Sequence, residues 1–395
     1  MKTLKIVPAV VLVLLSASLL FAAGQELAAR PGETLRFDLR GGGDIDVMGW
    51  DRDTASVTTE ITGRDSAQVN VDVARTASGI SISTPSQHRN IKASVKIKVS
   101  VPKRYNVEIK TVGGDVSLRE LEGEFSGETM GGDIVLSGLS GEADIGTMGG
   151  DISVRESQLD GSVKTMGGDV ELDTVEGNLN ASTMGGDVIQ RNVRGRSGSG
   201  GEPVRVRSHG GNVAVDTAPL GADVHTMGGD ITVQSADQFL KAKTMGGDIT
   251  IKRATGEADI HTMGGDIEVD SFDGEIKAMT MGGDVSVNVD SSSAGSGHDI
   301  NLDSMGGDIT LRLPSNFSGR FEIELVKLRK KPERSRIETS LPLQIDEPAE
   351  WTSRSRRSDG NRYNSDYKII RASGSIGGGD HLVRIKTISG IISIE

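Results

Sequence analysis

An acidic residue recurs through the middle of this chain at a step of 18 residues, with two breaks, and each copy follows a pair of glycines. The repeated positions are Asp115, Asp133, Asp151, Asp169, Asp187, Asn212, Asp230, Asp248, Asp266, Asp284 and Asp308. Carboxylates stacked about 4.8 Å apart repel by roughly 1 kcal/mol per neighbouring pair even in water. Either hydrogen bonds from backbone amides of each acid's own glycine corner or a row of bound Ca²⁺ ions must offset that repulsion.

The calcium alternative has a known precedent of the same period. The β-rolls of RTX proteins also use about 18 residues per turn, built from two nonapeptides of the form GGxGxDxUx. Here only one half of each repeat carries Gly-Gly-Asp, so no matching loop completes a coordination shell. Asn212 keeps the hydrogen-bond acceptor and drops the charge. The pattern therefore favours a structural ladder at the corners, with a calcium-dependent β-roll as an alternative.

Each repeat shows the period of two that is typical of β-strands on both sides of its glycine pair. In one copy, Ala143 and Ile145 alternate with polar residues before the corner, and Ile152 and Val154 do so after it. These columns are small and aliphatic in nearly every copy, with Gln190 the exception in its own column. They are expected to face inward and to form a narrow core shared between neighbouring repeats.

The strict period predicts an all-β fold, an elongated two-sheet β-solenoid with an 18-residue rung, capped at both ends by irregular β segments. Eleven rungs about 4.8 Å apart would give a rod roughly 50 Å long. We expect a signal peptide over residues 1–24, an N-terminal β cap region over 25–110 and the solenoid over 111–312. Residues 313–395 would form a C-terminal region with a basic loop and a β cap that covers the last exposed edge.

The other corner residues have structural interpretations. The glycine pair predicts a tight corner that needs positive φ or close backbone approach in every rung. The threonine before it follows the inward alternation and predicts a hydroxyl ladder. A methionine column lies between them and is interpreted as corner packing rather than as a wire of soft-metal ligands. Its members are Met130, Met148, Met166, Met184, Met227, Met245, Met263, Met281 and Met305.

The start of the chain predicts export. Lys2 and Lys5 precede an apolar run that ends in small residues near Ala23 and Gly24, as in a secretory signal. The formal net charge is −12, and removing the two lysines makes it −14, which disfavours nucleic acid and anionic lipid as partners. No later apolar stretch is long enough to cross a bilayer, so no transmembrane span is expected in the mature chain. The periplasm, the cell surface and the medium all remain possible locations.

Enzyme chemistry finds little support in the sequence. The six histidines show no metal-ligand spacing and no pairing with a nucleophile, and the many carboxylates are periodic. We therefore assign no catalytic, cofactor-binding or metal residues and expect no cofactor. Two insertions, at 194–203 and 289–298, break the period at the corner opposite the glycines. A polysaccharide-active enzyme that uses the basic segment 327–336 and nearby aromatics such as Trp351 is the alternative.

Several segments resemble a known family. These are Val101-Pro102-Lys103 leading into VEIKTVGGDVSL, the serial GGDI corners and the ending IGGGDHLVRIKTISGIISIE. They are similar to a bacterial β-strand-repeat family of unknown function, often labelled "putative adhesin". The resemblance implies an extracytoplasmic β-solenoid without established catalysis, and it supplies no functional residues. We accordingly expect a non-enzymatic exported scaffold or adhesin, whose partner is an envelope or surface protein or glycan.

Overall fold

The computed structural model describes residues 24–84, 92–195, 202–290, 299–330, 332–358, 361–378 and 381–395. The predicted signal peptide, apart from Gly24, and most of both insertions lie outside the described residues. The strands are β1 (Gln25–Ala28), β2 (Thr34–Leu39), β3 (Asp44–Trp50), β4 (Thr54–Thr62), β5 (Asp72–Arg75), β6 (Gly79–Thr84), β7 (Ser94–Pro102), β8 (Asn106–Thr111), β9 (Val116–Arg119), β10 (Glu122–Thr129), β11 (Ile134–Ser137), β12 (Ser140–Thr147), β13 (Ile152–Thr165), β14 (Val170–Glu176), β15 (Leu179–Ser182), β16 (Val188–Arg191), β17 (Val204–Arg207), β18 (Val213–Ala218), β19 (Ala222–His225), β20 (Ile231–Ala236), β21 (Phe239–Lys243), β22 (Ile249–Ile251), β23 (Ala254–His261), β24 (Ile267–Thr280), β25 (Val285–Val289), β26 (Ile300–Ser304), β27 (Ile309–Arg312), β28 (Gly319–Leu328), β29 (Arg336–Thr339), β30 (Gln344–Asp346), β31 (Thr352–Ser358), β32 (Asn361–Ile376), β33 (His381–Ile388) and β34 (Ile391–Ile394). Two 3₁₀ turns, Ser66–Gln68 and Pro332–Arg334, accompany them.

Every rung of the rod contributes one strand segment to each of two stacks of parallel strands, and β13 and β24 each run from one stack into the other. The strand before the corner pairs with its equivalents 18 residues away, as β10 does with β8 and β12. The strand after the corner does the same, as β11 does with β9 and β13. This register keeps each residue type above its own copy. The predicted all-β solenoid with an 18-residue rung is therefore confirmed.

The core is the inward columns of the two sheets. Ile145 and Val163 of the first sheet and Ile152 and Val154 of the second are at most 3 % exposed. Since each rung supplies only a few aliphatic side chains, no rung has a core of its own. Burial comes from stacking, as in other solenoids.

The second glycine of each corner is required by close backbone approach. A Cβ on Gly150 would lie 2.1 Å from the carbonyl oxygen of Gly132 in the preceding rung. On the first glycine, Gly149, a Cβ would come no nearer than 3.6 Å to that rung, and its φ is not in the left-handed region. The prediction is thus correct for one glycine of the pair, through proximity and not through positive φ. Close approach does not require the first one at Gly149, although Gly210 and Gly228 come nearer to the preceding rung, at 3.3 and 3.2 Å.

Both ends of the rod depart from chain order. At the N-terminal end, β2 and β3 lie between the first rung, β8 and β9, and an outer coil formed by β6 and β7. The chain therefore lays down the inner coil, passes outward, and returns to start the rod. Antiparallel strands cover the outer coil, β5 on β6 and β4 on β7, with β1 on β4.

The C-terminal end mirrors this arrangement. The last strands, β33 and β34, stack on the final rung of β26 and β27. They are covered in turn by the earlier strands β28 and β29. Within the C-terminal region that was expected to cap the rod, the chain end itself is not the outermost layer. It is inserted one layer deep. β32, antiparallel to β28, adds a further strand to the first sheet, and β30 pairs antiparallel with the other edge of β32.

The two glycines of a corner offer a matched test. Replacing Gly150 with Ala should destabilise the protein by about 3 kcal/mol, because the new methyl group meets a backbone oxygen that cannot move without shifting a whole rung. Replacing Gly149 with Ala should have little effect. Thermal unfolding followed by circular dichroism measures both. Equal losses in the two variants would contradict the close-approach explanation.

Candidate binding face along the corner edge

The corner acids form a continuous hydrogen-bonded ladder. The Oδ1 atom of each acid accepts the backbone N–H of the acid in the next rung, at 2.7 to 3.1 Å, from Asp44 through Asp308 to the amide of Ile391. The carboxylates were expected to accept amides of their own corner, and the partner is instead one rung away. Asn212 takes part in the same way, accepting from Asp230 at 2.8 Å.

This ladder pairs a backbone group that the sheets leave over. The carbonyl of Asp169 accepts the N–H of Ile152 at 2.8 Å. The backbone N–H of Asp169 is instead directed to the corner of the preceding rung. The Oδ1 of Asp151 supplies the acceptor at 2.8 Å. Each carboxylate therefore satisfies a donor that would otherwise lack a partner at a bend. We call the exposed row of these acids, from Asp115 to Asp308, the acidic ridge.

The threonines link the same rungs, but here the later rung supplies the side chain and the preceding rung supplies the backbone group. The buried hydroxyl of Thr165 donates to the carbonyl of Gly150 in the preceding rung at 2.8 Å. It also accepts the N–H of Gly168 in its own rung at 3.2 Å. Ser208 and Ser304 make equivalent bonds in their rungs. Each hydroxyl in the column thus connects a glycine carbonyl of the preceding rung with a glycine amide of its own rung.

The methionine column lies outside, and its interpretation as corner packing is wrong. The nine methionines are 40 to 54 % exposed, and Val112 occupies the same slot in the first rung at 51 %. The exposure of the methionines could have been predicted from the buried hydroxyl residue directly before each of them. Side chains alternate along a strand, so the residue after a buried one faces outward. We call this set the methionine stripe: Val112, Met130, Met148, Met166, Met184, Met227, Met245, Met263, Met281 and Met305, with His209 in one rung.

A mixed column borders the stripe on the side away from the acidic ridge. This flanking column consists of Lys110, Glu128, Gly146, Lys164, Ser182, Arg207, His225, Lys243, His261, Met279 and Asp303. Burial, reinforced by the charge of Arg207, lowers the pKa of His225, so its imidazole is neutral at pH 7. Burial raises the pKa of Asp303. The basic members lie in the first and middle rungs.

An open groove of about 930 Å³ runs beside the N-terminal part of the stripe. Its lining includes Met130, Met148 and Met166 of the stripe and Lys110 and Lys164 of the flanking column. Gly146 leaves the flanking column without a side chain at this point. The methionines are therefore accessible from the side as well as from the front.

Gln190, the exception noted in the sequence, is buried, with 2 % of its surface exposed. Neither atom of its amide has a hydrogen-bond partner among the described residues. It lines a cavity of about 10 Å³ together with Asn178 and Glu202. That space holds about one water molecule, which would satisfy the amide.

Three of the six basic residues in the segment 327–336, Lys327, Arg329 and Arg336, are paired with acids. Lys327 lies 3.0 Å from Glu347, and Arg329 lies 2.9 Å from Asp366. The guanidinium of Arg329 and the ammonium of Lys368 also lie over the ring of Trp351, at 5.9 and 5.0 Å from its centroid. Trp351, one of the aromatic side chains that the sequence suggested for sugar stacking, therefore already has the protein's own cations over its ring.

Two further features bear on the predicted classes. No group of three or more His, Asp or Glu side chains in the described part of the chain is arranged to hold a metal ion. In the same residues, no helix has the length and apolar character needed to span a membrane.

The corner acids can be tested by substitution. Asp151→Ala removes the acceptor for the Asp169 amide and should cost about 1 kcal/mol of stability. Asp151→Asn keeps the acceptor and relieves repulsion from two neighbours, so it should be at least as stable as the parent. Urea unfolding compares them, with Glu142→Ala as a control for an exposed acid outside the ridge. An Asn variant as unstable as the Ala variant would show that charge, and not the hydrogen bond, is what matters.

Chelation tests the calcium alternative. Because the Oδ1 atoms already accept amides, adding EDTA to the purified chain should leave both Tm and the β-sheet circular dichroism unchanged. Mg²⁺ added back in excess serves as the ionic-strength control. A drop of several degrees that Ca²⁺ reverses would establish a calcium-dependent ladder.

Comparisons with known proteins were made at the level of sequence and of structure. No protein with curated annotation is significantly similar in sequence. Among solved structures, three similar chains are a putative lipid binding protein and a putative adhesin from Parabacteroides distasonis and a putative cell adhesion protein from Clostridium sporogenes. The first two are 16 % and 14 % identical with TM-scores of 0.31 and 0.33, and each match covers 62 % of this chain and 96 % of theirs. The third is 10 % identical with a TM-score of 0.19, over 94 % of this chain and 97 % of the other.

The family relationship is clearer. The model of the Toastrack DUF4097 family matches residues 33–199 and 197–327, which together are well over half of the chain. These matches run from the inner N-terminal coil through the whole rod. The chain belongs to the Toastrack DUF4097 family.

Proposed function

We propose that this protein is a non-enzymatic, exported scaffold or adhesin of the cell envelope or surface, and that the methionine stripe is its binding face. The stripe is the observation that carries the proposal. Soluble monomers rarely leave a long contiguous apolar surface exposed, and such a surface marks an interaction site. Here it runs the length of the rod.

The composition of the corner supports a binding role. The structure gives the threonine, the second glycine and the acid defined partners in neighbouring rungs. The methionine has no such duty, and a polar residue at a half-exposed position would leave the fold intact. Nine rungs nevertheless carry methionine. Thioether side chains are flexible and polarisable, which suits an adaptable contact surface.

Export rests on the sequence of residues 1–24, and the periplasm, the cell surface and the medium are all consistent with it. The expected partner is an envelope or surface protein or glycan, and the acidic charge disfavours nucleic acid. The division into a cap region at 25–110, a rod at 111–312 and a C-terminal region at 313–395 belongs to the same proposal. The strand pairing adds that coils stack beyond both boundaries of the rod.

The carbohydrate-active alternative lacks a comparable arrangement. Lys327 and Arg329 have acidic partners and Trp351 is covered, as described above. Within the described residues, the acids near the rod form regular columns. We therefore do not propose a catalytic site.

The function is tested by fractionating the native host with surface protease treatment. The parent chain should be recovered with the envelope or the medium, and envelope retention should depend on the stripe. A stripe variant carries four substitutions by Gln, at Met227, Met245, Met263 and Met281. A control variant carries four substitutions by Gln on the outer face of the second sheet in the same rungs, at Thr232, Thr250, Glu268 and Ser286.

We expect the stripe variant to lose most of its envelope retention while the control variant keeps it. Circular dichroism verifies that both are folded. Recovery of the parent chain in the cytoplasm would contradict the proposal, and so would equal retention of the two variants.

A further inference from the structure

We infer that the methionine stripe is where a second copy of this chain docks, so that two rods lie side by side, parallel and in register. This inference rests on the proposed function and names the partner of the proposed binding face. It follows from the shape of the stripe, from the charges on its two sides and from the one polar residue within it.

The shape of the stripe suits a rod better than a globular partner. It extends from Val112 to Met305. The whole stripe is about 50 Å long and one side chain wide. A globular protein would cover only part of it, whereas a second stripe with the same spacing can contact every rung. With its borders, a strip about 50 Å by about 15 Å approaches the roughly 800 Å² per partner of a standard specific interface.

The first glycine of each corner favours such close docking. It lies between the methionine and the acid. In Gly149 and Gly306 a Cβ would lie at an ordinary contact distance of 3.6 Å from the preceding rung, while Gly210 and Gly228 are tighter, at 3.3 and 3.2 Å. Without a side chain at this exposed position, the backbone beside the stripe stays accessible to a partner. The methionine and the first glycine, the two corner residues with the weakest requirements from the fold, are thus neighbours on the same surface.

Charge on the two borders selects the direction. The acidic ridge lies on one side of the stripe and the flanking column on the other. Two rods facing each other in antiparallel orientation would place acidic ridge against acidic ridge. A two-fold axis parallel to the rods instead places each acidic ridge opposite the partner's flanking column.

The flanking column has basic side chains that can pair with the carboxylates of the partner's acidic ridge. It contains Lys110, Lys164, Arg207 and Lys243, against two acids, Glu128 and Asp303. Lys164 and Lys243 lie 3.7 and 2.7 Å from Asp144 and Asp259 of their own chain. Exposed ion pairs of this kind are weak, so these lysines can be shared with a facing carboxylate. The same acidic ridge argues against an anionic membrane as the occupant.

His209 sets the register. It is the one polar side chain among the members of the stripe and lies between Met184 and Met227. In a parallel, unshifted pair it faces the partner's His209, while a shift of one rung would place it against methionine. A single polar residue in an apolar seam fixes register in coiled coils by the same reasoning.

Sedimentation velocity over a range of concentrations tests the association. The chain from Gln25 onward should form a dimer, and the Met227, Met245, Met263 and Met281 to Gln variant should dissociate with a Kd at least tenfold higher. The second-sheet control variant should match the parent. A parent chain that stays monomeric up to about 100 µM would overturn the inference, as would equal weakening of both variants.

Cysteine cross-linking tests the direction, since the chain has no cysteine of its own. Met148→Cys and Met263→Cys lie equally far from the middle of the stripe, three rungs on either side of His209. In a parallel pair, each variant alone forms a disulfide-linked dimer under mild oxidation. If a disulfide forms only when the two variants are mixed, the rods are antiparallel and the inference is wrong.

Flotation with zwitterionic and anionic vesicles tests whether a lipid membrane binds the stripe instead. The parent chain should stay unbound, and vesicle binding that the stripe variant loses would overturn the inference in favour of a membrane. The outcomes are separable from those for the proposed function. A monomeric chain that still needs the stripe for envelope retention refutes only self-association, whereas a dimer found in the cytoplasm refutes only the function.

Discussion

The rod depends on one recurring problem, the unpaired amide at each corner. Parallel sheets satisfy every backbone group along their strands, but a bend leaves donors without acceptors, and a buried or crowded donor without a partner is costly. The amide of Asp169 is satisfied by a side chain of the rung before, that of Asp151, and the amide of Gly168 by Thr165 of its own rung. Thr165 in turn donates back to the carbonyl of Gly150 in the rung before. A rung of this protein is therefore incomplete alone, for its corner as well as for its core.

These contacts give the rod a direction that explains its irregular ends. The acid serves the following rung, whereas the threonine and the second glycine fit the preceding one. The last corner, in β33 and β34, keeps Thr387 and Gly390 but has Ile391 in place of the acid, and the coil above it lacks this corner. The first corner keeps Asp44 and has buried Leu39 in the threonine column. The acid is thus kept at the first corner, where the next rung uses it, and is replaced at the last corner, where no further corner follows.

Much of this architecture could be predicted from the sequence because the chain contains many copies of one rung. The aliphatic columns around Ile145 and Ile152 identified the core, and the strict step identified the solenoid. The partner of Asp151 could not be assigned, because the sequence gives the acceptor and not which amide lies nearest. The stacking of the end coils out of chain order could not be predicted either, since the order of coils at the termini depends on long-range strand pairing and not on local alternation. Ile391 was visible as an irregular residue, but its meaning required the direction of the ladder.

The methionine error is instructive for function. Methionine was assigned to packing because it is apolar, although the buried threonine before it already turned it outward. Once the corner is resolved, the acid, the threonine and the second glycine are each explained by a contact within the chain. Methionine and the first glycine are left over, and they are adjacent on the surface. Residues that recur in rung after rung without a role in the fold point to a role in binding. Contact with a second rod of the same repeat is the interaction that would use all of these residues at once.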